Sequence, residues 1–588
     1  MAQPKGDFVS NLGRIYGIYT GGFFGFVVLL AILEQVGVPD RVIGYLFVFM
    51  TIGVYALIGI LTRTMQVSEY YVAGRRVPAF YNGMATGADW MSAASFIGMA
   101  GTLYALGYDG LAFVLGWTGG YVLVAVLIAP YLRKFGAYTV PDFLGARYGG
   151  NVARFIGVVV LVTCSFTYIV AQVTGVGIIA SRFLDIQFEI AVFVGLIGIL
   201  VCSMLGGMRA VTWTQVAQYI VLIVAYLIPV ILLSTQLTGI PVPQIVYGEA
   251  LQRIGELEST KEALAGAKAH IEPFLNYDPL NFFALILCLM VGTASLPHIL
   301  MRYFTTPSVR EARKSVGWSL FFIFLLYFTA PSYAAFAKLE IYENVIGANI
   351  ATLPEWVSIY SGIGLVSIAD ANADGILQLA ELTINNDVIV IATPEIAGLP
   401  YVISGLVAAG GLAAALSTAD GLLLAIANAL SHDIYYRMVD PNASTKRRLV
   451  VARALLILVA LVAAWVAAGK PAGILALVAW AFSLAAGGLF PALVMGVWWK
   501  RTTKEGAVCG MIAGFGVTLF YLVATHYFEM PLWFGLKNIS AAAFGLPAGF
   551  LVTWIVSMMT PAPSREMQEF IDQVRTPRGP QLMEEKTA

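Results

Sequence analysis

The sequence predicts an all-α polytopic membrane protein of about 14 transmembrane helices, and three observations carry that expectation. Of its 588 residues, 59% are hydrophobic and only 12% are charged, whereas soluble domains carry roughly 25% charged residues. The mean hydropathy is +0.81. Apolar runs of about 20 residues, the length a helix needs to cross a ~30 Å hydrocarbon layer, recur along almost the whole chain.

The runs centre on 16–33, 42–63, 84–106, 111–132, 154–180, 188–206, 212–234, 282–303, 316–338, 398–429, 449–468, 472–499, 507–526 and 541–559. Lys5 and Arg14 precede the first run as they would in a signal peptide, but no small-residue cleavage motif follows. Glu34 to Arg41 reads instead as a turn into the second span. Lys and Arg concentrate in alternate segments: the N-terminus, the surroundings of Arg75, Arg147, Arg310, Arg447 and Lys500, and the tail. By the positive-inside rule these face the cytoplasm, which puts both termini there and segments 235–281 and 339–397 outside.

The first outside segment contains GEALQRIGELESTKEALAGAKAH, whose charged helical periodicity predicts a surface helix lying over the bundle. The tail, 561–588, is polar and too short for a domain. A net charge of zero argues against a nucleic-acid partner, and no stretch calls for an obligatory protein partner. GxxxxGK[ST] occurs nowhere, so an enzyme or primary pump is not expected and any work must come from an ion gradient. Cys164, Cys202, Cys288 and Cys509 fall on four different spans, which predicts free buried thiols rather than a disulfide framework.

Three spans carry polar or glycine-rich interruptions: 83–107, with Asp89, Ser92 and Ser95; 290–304, with Pro297; and 405–436, with Ser417, Thr418 and Asp420. Gly, Ala and Ser also serve simply as close-packing residues between membrane helices. Three interruptions together with two intramembrane aspartates favour an ion pathway.

These stretches resemble one family. YYVAGRRVPAFYNGMATGADWMSAASFIG, PHILMRYF and ALSTADGLLLAIANALSHDIYY resemble motifs of the sodium:solute symporters, over about residues 42–560. GADWMSAASFIGMAG followed by GYDGL is most similar to the acetate permease and cation–monocarboxylate branch, which implies a bacterial inner-membrane transporter. The resemblance implies a LeuT-type fold, two inverted five-helix repeats with peripheral helices and a midplane site at discontinuous helices. The expected division is peripheral helices at 1–63, a transporter core at 64–500, peripheral helices at 501–560 and the tail.

Carried onto this chain, the family motifs imply a Na+ site made of the Ala88, Met91 and Ala414 carbonyls with the Ser417 and Thr418 hydroxyls. The bland alternative for the two hydroxyls is back-bonding along their own helix. Many relatives carry an acid where this chain has Gln215, which implies one sodium per cycle unless Asp89 or Asp420 compensates, beside sodium or as a proton carrier. Candidate substrate contacts are Ser95, Phe96, Gln172, Thr293 and Ser295, with a half-helix N-terminus facing the carboxylate. His298 and Arg302 read as a charged cap at the cytoplasmic interface.

One motif stands apart. DANADGILQLAE, residues 370–381, fits the calcium-loop pattern D-x-[DN]-x-[DN]-G-x5-E. Asp370, Asn372 and Asp374 would supply side-chain oxygens, Ile376 a carbonyl, Gln378 a direct or water-mediated contact, and Glu381 two oxygens. The preceding stretch EWVSIYSGIGLVSIA reads as an incoming helix. A solvated acidic turn is the alternative.

The expected function is sodium-coupled uptake of a small monocarboxylate, with an EF-hand-like Ca2+ loop that is structural or modulatory. Proton-coupled carboxylate transport, sodium-coupled amino-acid transport and a transporter-like nutrient sensor are the alternatives.

Overall fold

The computed structural model describes residues 7–64, 66–204, 207–576 and 581–582. Lys5, the side chain of Cys202 and most of the tail beyond Thr576 lie outside the described residues. Twelve described helices are long and apolar enough to cross a membrane. The difference from fourteen has a simple origin. The expected runs 84–106 and 111–132 join in one helical stretch, Ala94–Phe135, and the sixth run contains a shorter apolar helix, Phe188–Val201.

Two sets of five helices stand between flanking pairs. The first set comprises a broken helix (Ala79–Trp90 and Met99–Leu106), the stretch from Leu111 to Phe135, and helices Asn151–Leu184, Phe188–Ser203 and Gly207–Thr238. The second comprises a broken helix (Pro279–Thr293 and Pro297–Phe304), Val309–Tyr327 continued by Ala330–Asn344, and helices Tyr401–Asn428, Thr445–Ala468 and Ile474–Trp498. Leu12–Gln35 and Asp40–Leu61 precede these sets; Lys504–Tyr527 and Ala542–Met559 follow them.

Each set opens on a break with a local cause. Met91 leaves the helical region (ψ 71°), Ser92 N–H turns back to the Trp90 carbonyl at 2.8 Å, and Ala94–Gly98 resumes as a π turn. In the second break Leu296 is extended (ψ 118°), the conformation forced on a residue preceding proline. The third expected interruption is not one: Tyr401–Asn428 is continuous α-helix and runs on as a π-helix to Val439. Almost every residue of Tyr401–Asn428 is buried, and its glycines let neighbours approach. A Cβ on Gly421 would stand 2.1 Å from Asp89 Oδ1.

Outside the bundle, Pro243–Thr260 forms the expected surface helix. It rests on Val246, Ala250 and Ile254 at helical spacing and is tied to the core by Arg253–Glu343 at 2.5 Å. The expected helix over EWVSIYSGIGLVSIA ends at Gly362; the chain then turns to β, with Val366–Ile368 antiparallel to Leu382–Ile384. Val366 is buried, Ser367 exposed and Ile368 half-buried. Part of the tail also departs from expectation: Arg565–Val574 is a helix that buries Ile571 and Val574 and sets Phe570 against Phe135. Cys164 and Cys288 are buried free thiols, whereas Cys509 is exposed on its helix, correcting the expectation for that residue.

Candidate functional site

The breaks strip backbone carbonyls of their helical partners, and Tyr401–Asn428 brings hydroxyls to them. Ser417 Oγ reaches the Ala88 carbonyl at 2.7 Å and the Ala414 carbonyl at 2.9 Å. Thr418 Oγ1 donates to the Asp89 carbonyl at 2.8 Å. Four of the five residues expected around sodium thus lie within one hydrogen-bonded cluster, all fully buried. Met91 follows directly on the break, its N–H bonded to Gly87. The Asp89 carbonyl is an addition the sequence reading lacked. Hydroxyl and carbonyl oxygens of this kind suit a monovalent hard cation better than a carboxylate cage would.

Gln215 is built into the same place: its amide donates to the Ser417 carbonyl at 2.7 Å. The buried acid is Asp89 instead. Its Oδ2 accepts from Arg302 Nε at 2.8 Å, and both side chains are fully buried. Arg302 also donates to Thr212 at 3.1 Å. Arg302 and His298 are therefore not a cap at an aqueous interface, because both are buried in the bundle, and that expectation fails. Removing either partner would strand a buried charge. Asp420 is fully buried one turn beyond Ser417.

The expected substrate residues separate. Gln172 Oε1 accepts from Ala93 N–H at 2.9 Å, holding the first break open. Ser95 bonds Tyr327 at 3.0 Å and lies 3.4 Å from the Trp90 carbonyl. Thr293 and Ser295 bond back to their own helix, at Leu289 (2.7 Å) and at Val291 and Gly292 (3.0 Å each), the back-bonding that short polar side chains adopt in membrane helices. Phe96 packs on Tyr226, centroids 5.2 Å apart.

Beside both breaks stands a cluster of aromatic rings absent from that set. The Trp90 ring is 4.9 Å from Tyr121, 6.4 Å from Trp117 and 5.5 Å from Phe482. Tyr168 lies 5.9 Å from Phe482 and 5.5 Å from His298. The i, i+4 spacing of Trp117 and Tyr121 was visible in the sequence, but nothing local said which helix they face.

The loop 370–381 satisfies most of its own polar groups. Gly375 N–H donates to Asp370 (3.2 Å), Asp374 N–H to Asn372 (3.1 Å) and Ile376 N–H to Asp374 (2.8 Å). Gln378 donates its amide to Asp374 at 3.0 Å, and Glu381, buried, accepts from Ala371 and Gln378 N–H at 2.9 and 3.0 Å. Among the described residues the one group of three acidic or histidine ligands with metal-compatible spacing lies elsewhere, at Asp142, His432 and Asp433. The flanking elements are a β-strand and a 3-10 turn, not the paired helices of an EF-hand.

Known proteins share this architecture. An uncharacterized symporter of Cupriavidus necator is 45% identical, covering 98% of this chain and 100% of its own. The solved structure of a Na+-coupled sialic acid symporter, substrate-bound and outward-open, superposes with TM-score 0.66 at 17% identity over 89% of this chain and 99% of that one. That likeness establishes the LeuT-type fold. The profile of the sodium:solute symporter family matches residues 70–353 and 343–514, and the protein belongs to that family.

Proposed function

We propose that the protein couples inward sodium flow to the uptake of a small monocarboxylate of the acetate type across the cytoplasmic membrane, with both termini inside. The observation that carries the sodium half is the Ser417 hydroxyl shared between the Ala88 and Ala414 carbonyls. The carboxylate half rests on the GADWMSAASFIGMAG and GYDGL stretches. Asp89, one carboxylate that could meet a substrate ammonium group, is already held by Arg302.

With Gln215 neutral and Asp89 paired, the site favours one sodium per cycle. One Na+ with one monoanion moves no net charge, so the membrane potential, worth ~2.3 kcal/mol per charge at 100 mV, contributes nothing. Accumulation then follows the sodium ratio, about 1.4 kcal/mol per tenfold. The loop 370–381 is read as a calcium clip for the outer hairpin, on the strength of its motif.

The test is uptake of labelled acetate into proteoliposomes under an inward sodium gradient, with potassium substituted at fixed pH as the control. Sodium-dependent uptake without a substrate-evoked current supports the proposal. Equal uptake in potassium refutes sodium coupling, and an inward current refutes the stoichiometry.

A further inference from the structure

Between the surface helix and the C-terminal end of the first broken helix lies a cavity of about 180 Å3. Leu103 and Gly107 come from the broken helix and the turn after it, Leu251 from Pro243–Thr260, and Pro331 from Ala330–Asn344. The walls are aliphatic and aromatic, and the one nitrogen-bearing side chain among them is His270. The cavity opens beside Ile271, which is exposed. An apolar cavity of about 150 Å3 is large enough for benzene, so this one receives a short hydrocarbon chain with a polar head.

His270 is held at three points. Its carbonyl accepts from Tyr108 N–H at 2.9 Å, its own N–H donates to Glu258 at 3.1 Å, and Nδ1 meets Lys338 Nζ at 3.0 Å. Gly107 permits the first contact, since a Cβ there would stand 2.3 Å from the His270 carbonyl oxygen. His270 and Lys338 are each only 5% exposed. An ammonium group can only donate, so Nδ1 is the acceptor and the ring proton sits on Nε2. That N–H is the donor left for the cavity. Lys338 lies over the Tyr104 and Tyr342 rings, 5.5 and 5.4 Å from their centroids, and forms no salt bridge among the described residues. Glu258 accepts the His270 backbone N–H and leaves its other oxygen without a hydrogen bond, so no direct contact neutralises Lys338. A buried cation without a directly paired anion is costly, and this one stands a single imidazole behind the cavity.

We propose that this cavity is a second, outer site for a short-chain monocarboxylate, bound through His270 Nε2–H, with Lys338 as the charge behind it and the hydrocarbon tail against Leu103, Leu251 and Pro331. The proposal goes beyond the transport reading and does not rest on it, because the cavity shares no residue with the sodium cluster. Lys338 polarises the imidazole that it donates to, and linked hydrogen bonds of this kind strengthen one another where water is scarce. A carboxylate therefore meets a strengthened donor at Nε2 and a compensating charge one group away. An alcohol would fill the apolar part without using the charge, and chloride would use the charge without filling the apolar part. An occupant touches both the broken helix and the surface helix, so filling the cavity braces one against the other.

The experiment is thermal unfolding of full-length protein in detergent with potassium butyrate, in sodium-free potassium buffer so that sodium-coupled binding elsewhere does not contribute. A ligand that binds only the folded state raises the melting temperature as its concentration grows. Wild type is expected to show a saturable rise with butyrate, and no comparable rise with butanol or potassium chloride at equal concentration. His270→Leu removes the donor, Lys338→Met removes the charge and keeps the stem, and Leu251→Trp fills the cavity. Each is expected to raise the apparent Kd for butyrate about tenfold or more, equivalent to ~1.4 kcal/mol per tenfold. His270→Gln, which keeps an N–H donor, is expected to stay closer to wild type. Leu251 is half-buried on a surface helix, so its variant tests the cavity even where a change at His270 or Lys338 fails to fold. A butyrate response unchanged in His270→Leu and Leu251→Trp overturns the site. An equal response to chloride overturns the monocarboxylate class and leaves an inorganic-anion site. No sodium-independent response in wild type overturns the proposal outright. Sodium-driven acetate uptake by wild type is measured in parallel and decides the transport reading by itself, so the two readings fail separately.

Discussion

The hairpin at 366–384 and the aromatic cluster at the two helix breaks both carry polar atoms in an oily chain, and they treat them in opposite ways. In the hairpin, Asp370, Asn372, Asp374 and Glu381 spend oxygens on nearby backbone N–H groups, although water surrounds the first three. In the aromatic cluster at the breaks, Trp117, Tyr121 and His298 leave donors unmet although all three side chains are buried. An unmet group costs almost nothing at a wet surface and much in a dry core. The louder sequence motif therefore lies where an unmet polar group costs little, and the quieter residues lie where it costs most.

The buried ion pair beside the cluster gives the largest expected effect. Arg302→Met leaves Asp89 without its counter-charge in the core, and breaking such a pair costs about 3–5 kcal/mol. Thermal unfolding of purified protein in detergent is expected to show that loss, with most of it restored in the Asp89→Asn/Arg302→Met double variant. A double variant no more stable than Arg302→Met alone would show that the two groups are not energetically coupled.

Ser417→Ala comes next and tests the ion site. The hydroxyl meets two carbonyls, so its loss is expected to raise the sodium concentration for half-maximal uptake about tenfold or more, at ~1.4 kcal/mol per tenfold. An unchanged half-maximal sodium concentration in Ser417→Ala would remove this hydroxyl from the ion site.

These effects mirror what the sequence disclosed. Spans, the two breaks and the surface helix were legible because hydropathy and proline act locally. Ser417 and Thr418 were legible because a family motif named them, although their helix does not bend as expected and the hydroxyls reach across to another helix instead. Arg302 was misplaced: a cation near a span end ordinarily marks the interface, and only packing reveals that Asp89 lies opposite it. The meeting of Trp117, Tyr121 and Phe482 around Trp90 was not legible, since an aromatic on a membrane helix looks the same facing lipid or facing the core. The strands at 366–368 and 382–384 were missed because a short apolar run does not distinguish β from α.

A smaller effect belongs to the outer surface and depends on pH. Burial, with Lys338 Nζ 3.0 Å away as a second cause, pushes the His270 imidazole down to about 3, so it stays neutral in the folded protein. The unfolded chain takes up the proton near pH 6.5. His270 therefore contributes stability that is present above about 6.5 and lost as pH falls from there toward 3. Between pH 7.5 and 5.5 the expected loss is about 1.4 kcal/mol, read as a lower melting temperature. His270→Gln is expected to flatten that part of the profile, and an unchanged slope would assign the pH dependence to other groups.

The smallest effect tests the hairpin itself. Asp374 Oδ2 now accepts amide N–H groups from both Asn372 and Gln378, so a calcium ion there would have to displace these bonds and turn the Gln378 amide oxygen inward. That exchange leaves little net gain, which fits the Kd of about 0.1–1 mM typical of extracellular calcium modules. At 10 mM calcium and a Kd of 1 mM, mass action stabilises the folded state by about 1.4 kcal/mol. The melting temperature of wild type is expected to rise with calcium over chelator, while Asp374→Ala remains insensitive, with sodium-driven uptake changing little in either. A calcium response that survives Asp374→Ala would move the ion away from this loop. No response in wild type would leave the hairpin as a self-satisfied turn, and the contrast with the aromatic cluster would then be complete: one polar place whose groups are met, and one whose donors are not.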